Sequence, residues 1–406
     1  MKRLLTLLGP GMLVAATGVG AGDLLTAGLA GSRHGVTLLW AAVAGALLKW
    51  FLNEGIARWQ MATGTTLLDG WVTRLGRWVR WVFLAYLLLW TVFTGGALVS
   101  ACGVAGNGFL ILGDDPRASK IVWGVVHSAV GALIVWRGGF GWFVRIMGLC
   151  VGLMVIAVTL TAVLLAPDWG AILQGTVAPR IPPDGTAYTL GVLGGVGGTL
   201  TLLSYGYWIR EQGRTGARGV TESRVDLAAG YAVTALFGAA MIVIGSRVAL
   251  QQGPNVALDL ATQVGLALGP AGRWVFLIGF WGAVFSSLLG VWQSAPYLFA
   301  DFARLSRGTV AAADDLATTV SYRGFLAFIA TVPLALLWVS LERAQLLYAV
   351  FGALFMPLLA LTLLLMNTRR DWVGDRFRNG LLTNGALVLT LAVFGYLAVR
   401  EIGERL

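Results

Sequence analysis

The chain has 406 residues, 57% of them hydrophobic and 12% charged, with a net charge of +10 and a mean hydropathy of +0.79. Soluble domains carry roughly 25% charged residues, so one water-soluble core is excluded and lipid is the expected solvent. The basic excess lies in short segments between apolar runs, which reads as orientation signal and lipid contact and not as a nucleic-acid surface.

Met1-Lys2-Arg3 precede an apolar run with no small-residue cleavage site, so this run reads as a first span and not as a cleaved signal. Eleven spans of about 20 residues follow from the length a bilayer core requires. Their expected limits are 5–32, 36–60, 79–112, 120–136, 141–166, 186–208, 227–250, 272–299, 323–340, 344–366 and 383–400. No soluble domain is expected.

Span 1 contains Thr17-Gly18-Val19-Gly20-Ala21-Gly22-Asp23. A carboxylate here is expensive in lipid and calls for a cation, a donor set or a polar cavity. Asp23 is therefore a candidate cation ligand, or a cap on the second half of an interrupted helix. Span 2 carries Lys49, Asn53 and Glu54; Lys49 and Asn53 share a face. Lys49 is a candidate to reach Asp23 across the bundle, and Glu54 reads as a surface ion pair with Arg58. Cys102 in span 3 and Cys150 in span 5 read as inert packing residues, and His34 and His127 as peripheral.

Span 6 contains Gly191, Gly194, Gly195, Gly197 and Gly198, then Thr199, Thr201 and Ser204. Each glycine costs a helix up to about 1 kcal/mol relative to Ala. Two glycine-interrupted spans, five apart, point to an inverted-repeat transporter whose site lies at the two breaks. The repeats are then 1–166 and 186–366, with 383–406 as an added helix. The string from Trp208 to Arg214 reads as a solvated helix end. In span 8, Ser286, Ser287 and Gln293 are the polar candidates; in span 10, Met356-Pro357 marks a kink.

With the N-terminus inside, the inner segments hold 19 Lys and Arg residues and the outer ones 9. That bias predicts an N-in, C-out protein of a bacterial-type plasma membrane. Nothing resembles a nucleophile–base pair, a phosphate loop or a haem or zinc spacing, so no enzyme and no cofactor is expected.

The opening resembles the NRAMP family of divalent metal transporters. The resemblance rests on Gly9-Pro10-Gly11-Met12-Leu13-Val14-Ala15-Ala16, on Gly35 to Trp40, and on Ala57-Arg58 with Ala62-Thr63-Gly64. It implies a LeuT-type fold of two inverted five-helix repeats plus an eleventh helix. The family's Asp-Pro-Gly-Asn signature falls on Gly20-Ala21-Gly22-Asp23, and its Met-Pro-His signature on Leu202-Leu203-Ser204. Its proton-pathway acids fall near Gly95 and Leu98. The soft sulfur ligand and the titrating groups of the family are thus replaced.

The expected site is Gly20, Asp23, Lys49, Asn53, Thr201, Leu202, Ser204 and Gln293, with Asp23 as the metal ligand. A single carboxylate among hydroxyls and carbonyls is a hard-oxygen site, suited to Mg²⁺ or Mn²⁺. The expectation is a monomeric transporter of a divalent cation or small charged solute, with weak or no proton coupling. An amino acid or organic cation is the alternative cargo, and a non-transporting sensor or scaffold a third class.

Overall fold

The computed structural model describes residues 9–137, 139–195, 198–248, 256–307, 313–339 and 341–403. Expectations placed on Lys2, Arg3, Gly197 and Arg405 fall outside these residues, as do the side chains of Arg343 and Arg400. The described residues are helical, with no strand. In chain order the main helices are α1 (Gly9–Gly18), α2 (Ala21–His34), α3 (Leu39–Thr63), α4 (Val79–Phe109), α5 (Pro116–Arg137), α6 (Gly139–Leu164) and α7 (Trp169–Val177). Then come α8 (Thr186–Gly195), α9 (Ser204–Glu211), α10 (Gly216–Arg247), α11 (Val256–Arg307), α12 (Val320–Thr331), α13 (Leu341–Asn367) and α14 (Leu381–Gly403).

Eight helical stretches are long and apolar enough over the described residues to cross a bilayer. The helices α13 and α14 have 27 and 23 residues, with shorter described apolar stretches at Phe355–Asn367 and Leu381–Tyr396. Pro357 lies inside α13. Span 1 is divided between α1 and α2, and span 6 between α8 and α9 with a tight helical turn at Leu200–Leu203. Both interruptions fall on the glycine clusters. Gly198 has φ +81°, a backbone that an L side chain resists.

The helix α10 packs against both halves of span 1 with backbone close to backbone. A Cβ on Gly11 would strike the Asp226 carbonyl, one on Gly230 the Gly11 carbonyl, and one on Gly245 the Gly28 carbonyl. Such close approach is open only to very small residues.

The long helices overrun their expected limits at one end of the molecule. α10 begins at Gly216, not near 227, and α11 continues to Arg307, not 299. Both extensions carry charge that hydropathy excludes but the interior pairs. Asp226 is fully buried and accepts from Arg214 at 2.9 Å, from the Gly11 N–H at 2.8 Å and from the Tyr205 hydroxyl at 3.2 Å. Asp301, also fully buried, accepts from Thr66 at 2.7 Å, Tyr207 at 2.8 Å and Arg304.

Three expectations are corrected here. Glu54 is not a surface residue: it is buried, and it bridges Arg58 of its own helix to Arg224 of α10. Arg58 in turn donates to the Arg378 carbonyl and to Asn379, ahead of α14. The Trp208–Arg214 string is not wholly solvated, because Trp208 and Arg214 are buried. The Arg214 charge is met by Asp226 at 2.9 Å. His127 is not peripheral: it is buried, with Nδ1 2.7 Å from the Trp123 carbonyl and Nε2 accepting from the Trp281 indole at 3.0 Å. Cys102 and Cys150 are buried and unbridged.

Candidate functional site

The two interruptions face each other. A Cβ built on Gly198 would lie 3.2 Å from the Gly18 Cα. Breaking a helix leaves carbonyls at the end of one half and amides at the start of the next without intrahelical partners. In span 1 the exposed groups are taken up locally. Ser286 of α11 donates to the Ala16 carbonyl at 3.0 Å, and Ser287 to the Val19 carbonyl at 2.5 Å. Gly20 is the N-cap of α2, with extended backbone, and its N–H donates to Asp23 Oδ2 at 3.1 Å. The carboxylate thus lies in the first turn of α2, where the helix dipole favours a negative charge.

A small cleft opens at this point, lined by Thr17, Gly18, Gly20, Gly22, Asp23, Trp90, Thr94, Ala97, Leu98, Thr201, Ser287 and Val291. Among the described residues Asp23 is its only charged lining residue, and it is 7% exposed. The hydroxyls of Thr17 and Thr94 are buried there without a hydrogen-bond partner among the described residues. Trp90 turns its indole N–H to Thr199, at 3.0 Å. One carboxylate, four hydroxyls and a ring make a compact site with one negative charge, suited to a cation or to a solute with a cationic head.

Of the residues expected from sequence, Gly20, Asp23 and Thr201 come together in this cleft. Leu202 and Ser204 stand one turn further on, buried, and Ser204 Oγ has no partner among the described residues. Asn53 donates to the Tyr231 hydroxyl at 2.9 Å, and Gln293 accepts from the Trp208 indole at 2.7 Å. These four do not line the cleft. Lys49 is fully buried, and its ammonium donates to the Gly194 carbonyl at 2.7 Å, in the last turn of α8. It makes no direct ion pair with Asp23 within 4.0 Å, so the cross-bundle pairing takes the form of two charges flanking one helix end.

Trp90, Thr94 and Val291 were not singled out by sequence. Trp90, Thr94 and Leu98 stand four apart on one face of α4, and that spacing alone was their signal.

Residues 11–403 match the family model described as natural resistance-associated macrophage protein-like, or Nramp. Curated relatives carry the name divalent metal cation transporter MntH. That of Chromohalobacter salexigens is 30% identical over 46% of this chain and 42% of its own length. That of Acidiphilium cryptum is 24% identical over 95% of this chain and 88% of its own. The chain spans about half the length of the first curated relatives it matches. The crystal structure of the Eremococcus coleocola manganese transporter, in complex with an aromatic bis-isothiourea compound, superposes with a TM-score of 0.78 at 17% identity, over 99% of this chain and 87% of that one. A nucleobase-cation-symport-1 family transporter, closed around bromovinylhydantoin, superposes with a TM-score of 0.58 at 14% identity, over 98% of this chain and 93% of that one. The fold is LeuT-like.

Proposed function

The chain belongs to the Nramp family of integral membrane transporters, and from that premise we propose that it carries a divalent cation, Mg²⁺ or Mn²⁺, with weak or no coupling to protons. One observation carries this reading: the cleft between the broken helices has a single carboxylate, Asp23, ringed by the hydroxyls of Thr17, Thr94, Thr201 and Ser287. Oxygen donors of this kind suit hard cations that keep part of their water, Mg²⁺ above all. Among the described residues no sulfur or imidazole lines the cleft to favour softer metals. The substrate class named for the curated relatives supports the same assignment.

Weak proton coupling is supported by the resemblance, which lays the family's titrating groups near Gly95 and Leu98 and on Ser204, none of which ionises. Alternating access would be rocking of two repeats, 1–166 and 186–366, around the site, with 383–406 outside them, in a monomer. An amino acid or organic cation is the second reading, favoured by Trp90 and by the apolar wall of Ala97, Leu98 and Val291.

Uptake into proteoliposomes, followed with Mg²⁺ and Mn²⁺ indicators beside an internal pH dye, tests both parts. The expected result is metal entry without acidification. Asp23→Asn should lower uptake about tenfold or more, the equivalent of ~1.4 kcal/mol of binding, while the protein still melts cooperatively. No metal entry, or amine uptake alone, would sink the divalent reading. Metal-dependent acidification would sink the uncoupled one.

A further inference from the structure

The ammonium of Lys49 stands beside the cargo cleft, in a place that an ordinary membrane helix keeps apolar. It is fully buried, and it comes from α3, not from the broken helices. Its acceptor is the carbonyl of Gly194, in the last turn of α8. The end of a helix carries partial negative charge from carbonyls with no intrahelical partner. Asp23 reinforces that charge from the other side: its Oδ1 lies 2.8 Å from the position of a Cβ on Gly195. The carbonyl end of α8 and the Asp23 carboxylate therefore form one electronegative surface behind the cleft, and Lys49 is the cation that meets it.

We propose that Lys49 is a tethered counter-cation, taking at the carbonyl end of α8 the place that a free monovalent ion would otherwise occupy. The proposal rests on reading the break as the cargo site, but its test needs no cargo. Asp23 and Lys49 bring charges of opposite sign to the two sides of this helix end, so the ammonium offsets the carbonyl end while Asp23 keeps its place on the cleft. A buried carboxylate and a helix end without the ammonium would be left with uncompensated negative charge, which is costly in a low-dielectric interior. A small alkali cation binds backbone carbonyls and a carboxylate well. Removing the ammonium therefore turns an ion-independent protein into one that recruits Na⁺ or K⁺. The tether also sets a limit on cargo: the Gly194 carbonyl is already met by positive charge, so cargo must bind from the Asp23, Thr94 and Ser287 side.

The experiment is thermal melting of the purified, cargo-free protein in detergent, at constant ionic strength, in NaCl, KCl or N-methylglucamine chloride. Wild type is expected to melt at the same temperature in all three. Lys49→Met is expected to melt lower in N-methylglucamine and to gain about 3 °C or more in Na⁺ or K⁺, as a ligand that binds only the folded state must produce. A Lys49→Met protein indifferent to the cation overturns the proposal. Should that variant not fold, wild type decides alone: a shift of about 3 °C or more between Na⁺ and N-methylglucamine means that a free ion already binds, and overturns it. A cation response in Lys49→Met alongside absent Mg²⁺ and Mn²⁺ uptake in wild type would sink the cargo reading and leave the tether standing.

Discussion

Position 20 has no side chain at the point where a second carboxylate would do most. Gly20 caps α2 with extended backbone (φ −133°, ψ −169°) that any residue adopts. A Cβ there would meet the Ser287 hydroxyl at 3.2 Å, a contact relieved by a shift of a few tenths of an ångström. Aspartate is also among the best residues at an N-cap. Gly20→Asp should therefore fold, and it should place two carboxylates beside one cleft. Without metal they repel, so the melting temperature should fall. With a divalent cation they act together, and binding should tighten about tenfold or more, ~1.4 kcal/mol. Isothermal titration with Mn²⁺ and Mg²⁺ reads this directly; unchanged affinity would mean that Gly20 does not face the cargo. The cluster around Asp23 was legible in the sequence because a carboxylate amid glycines has no apolar explanation. Thr94 and Trp90 were not, because a threonine and a tryptophan in an apolar helix have several.

At the scale of elements, two kinds of glycine were indistinguishable in the sequence. One kind interrupts helices, as at Gly198; the other lets α10 lie against α1 and α2. A third kind faces open space: nothing lies within 4 Å of a Cβ built on Gly148 or Gly152 of α6. These classes predict opposite signs. Gly245→Ala and Gly31→Ala should each cost about 1–3 kcal/mol, because the added methyl strikes the Gly28 and Ile242 backbones, which cannot rotate away. Gly148→Ala and Gly152→Ala should be neutral or stabilising by up to ~1 kcal/mol, through helix propensity alone. Melting of the four purified variants checks this, and equal losses in both pairs would refute the backbone-contact account. The same scale explains why span limits were misjudged. The starts of α10 and the end of α11 hold Arg218, Glu222, Asp226, Asp301 and Arg304, and charge was read as solvent. Glu54 was misread for the same reason. Its partner Arg224 lies 170 residues away, beyond any local pattern.

For the whole molecule, sidedness is the property that ties these networks together. Several contacts join segments that the positive-inside count had placed on one side. Arg304 reaches Asp69 at 3.3 Å, Arg58 reaches the Arg378 carbonyl at 3.0 Å, and Arg74 and Arg369 both lie over the Trp372 ring, at 5.3 and 4.7 Å. The basic residues at or just beyond the ends of α3, α11 and α13 are thus gathered at one end of the protein. An excess of Lys and Arg marks the cytoplasmic face, so that end should be inside. Arg218, with a side chain 91% exposed, belongs to it, and exposed Arg117 stands in the first turn of α5, which the same count places on the opposite side. The two native cysteines are buried and should give little background. In intact spheroplasts, Arg117→Cys should react with a membrane-impermeant maleimide, and Arg218→Cys should react only after permeabilisation. Labelling in the reverse order would show the molecule to be inverted, with the ionic networks of Asp226, Asp301 and Glu54 at its outer end.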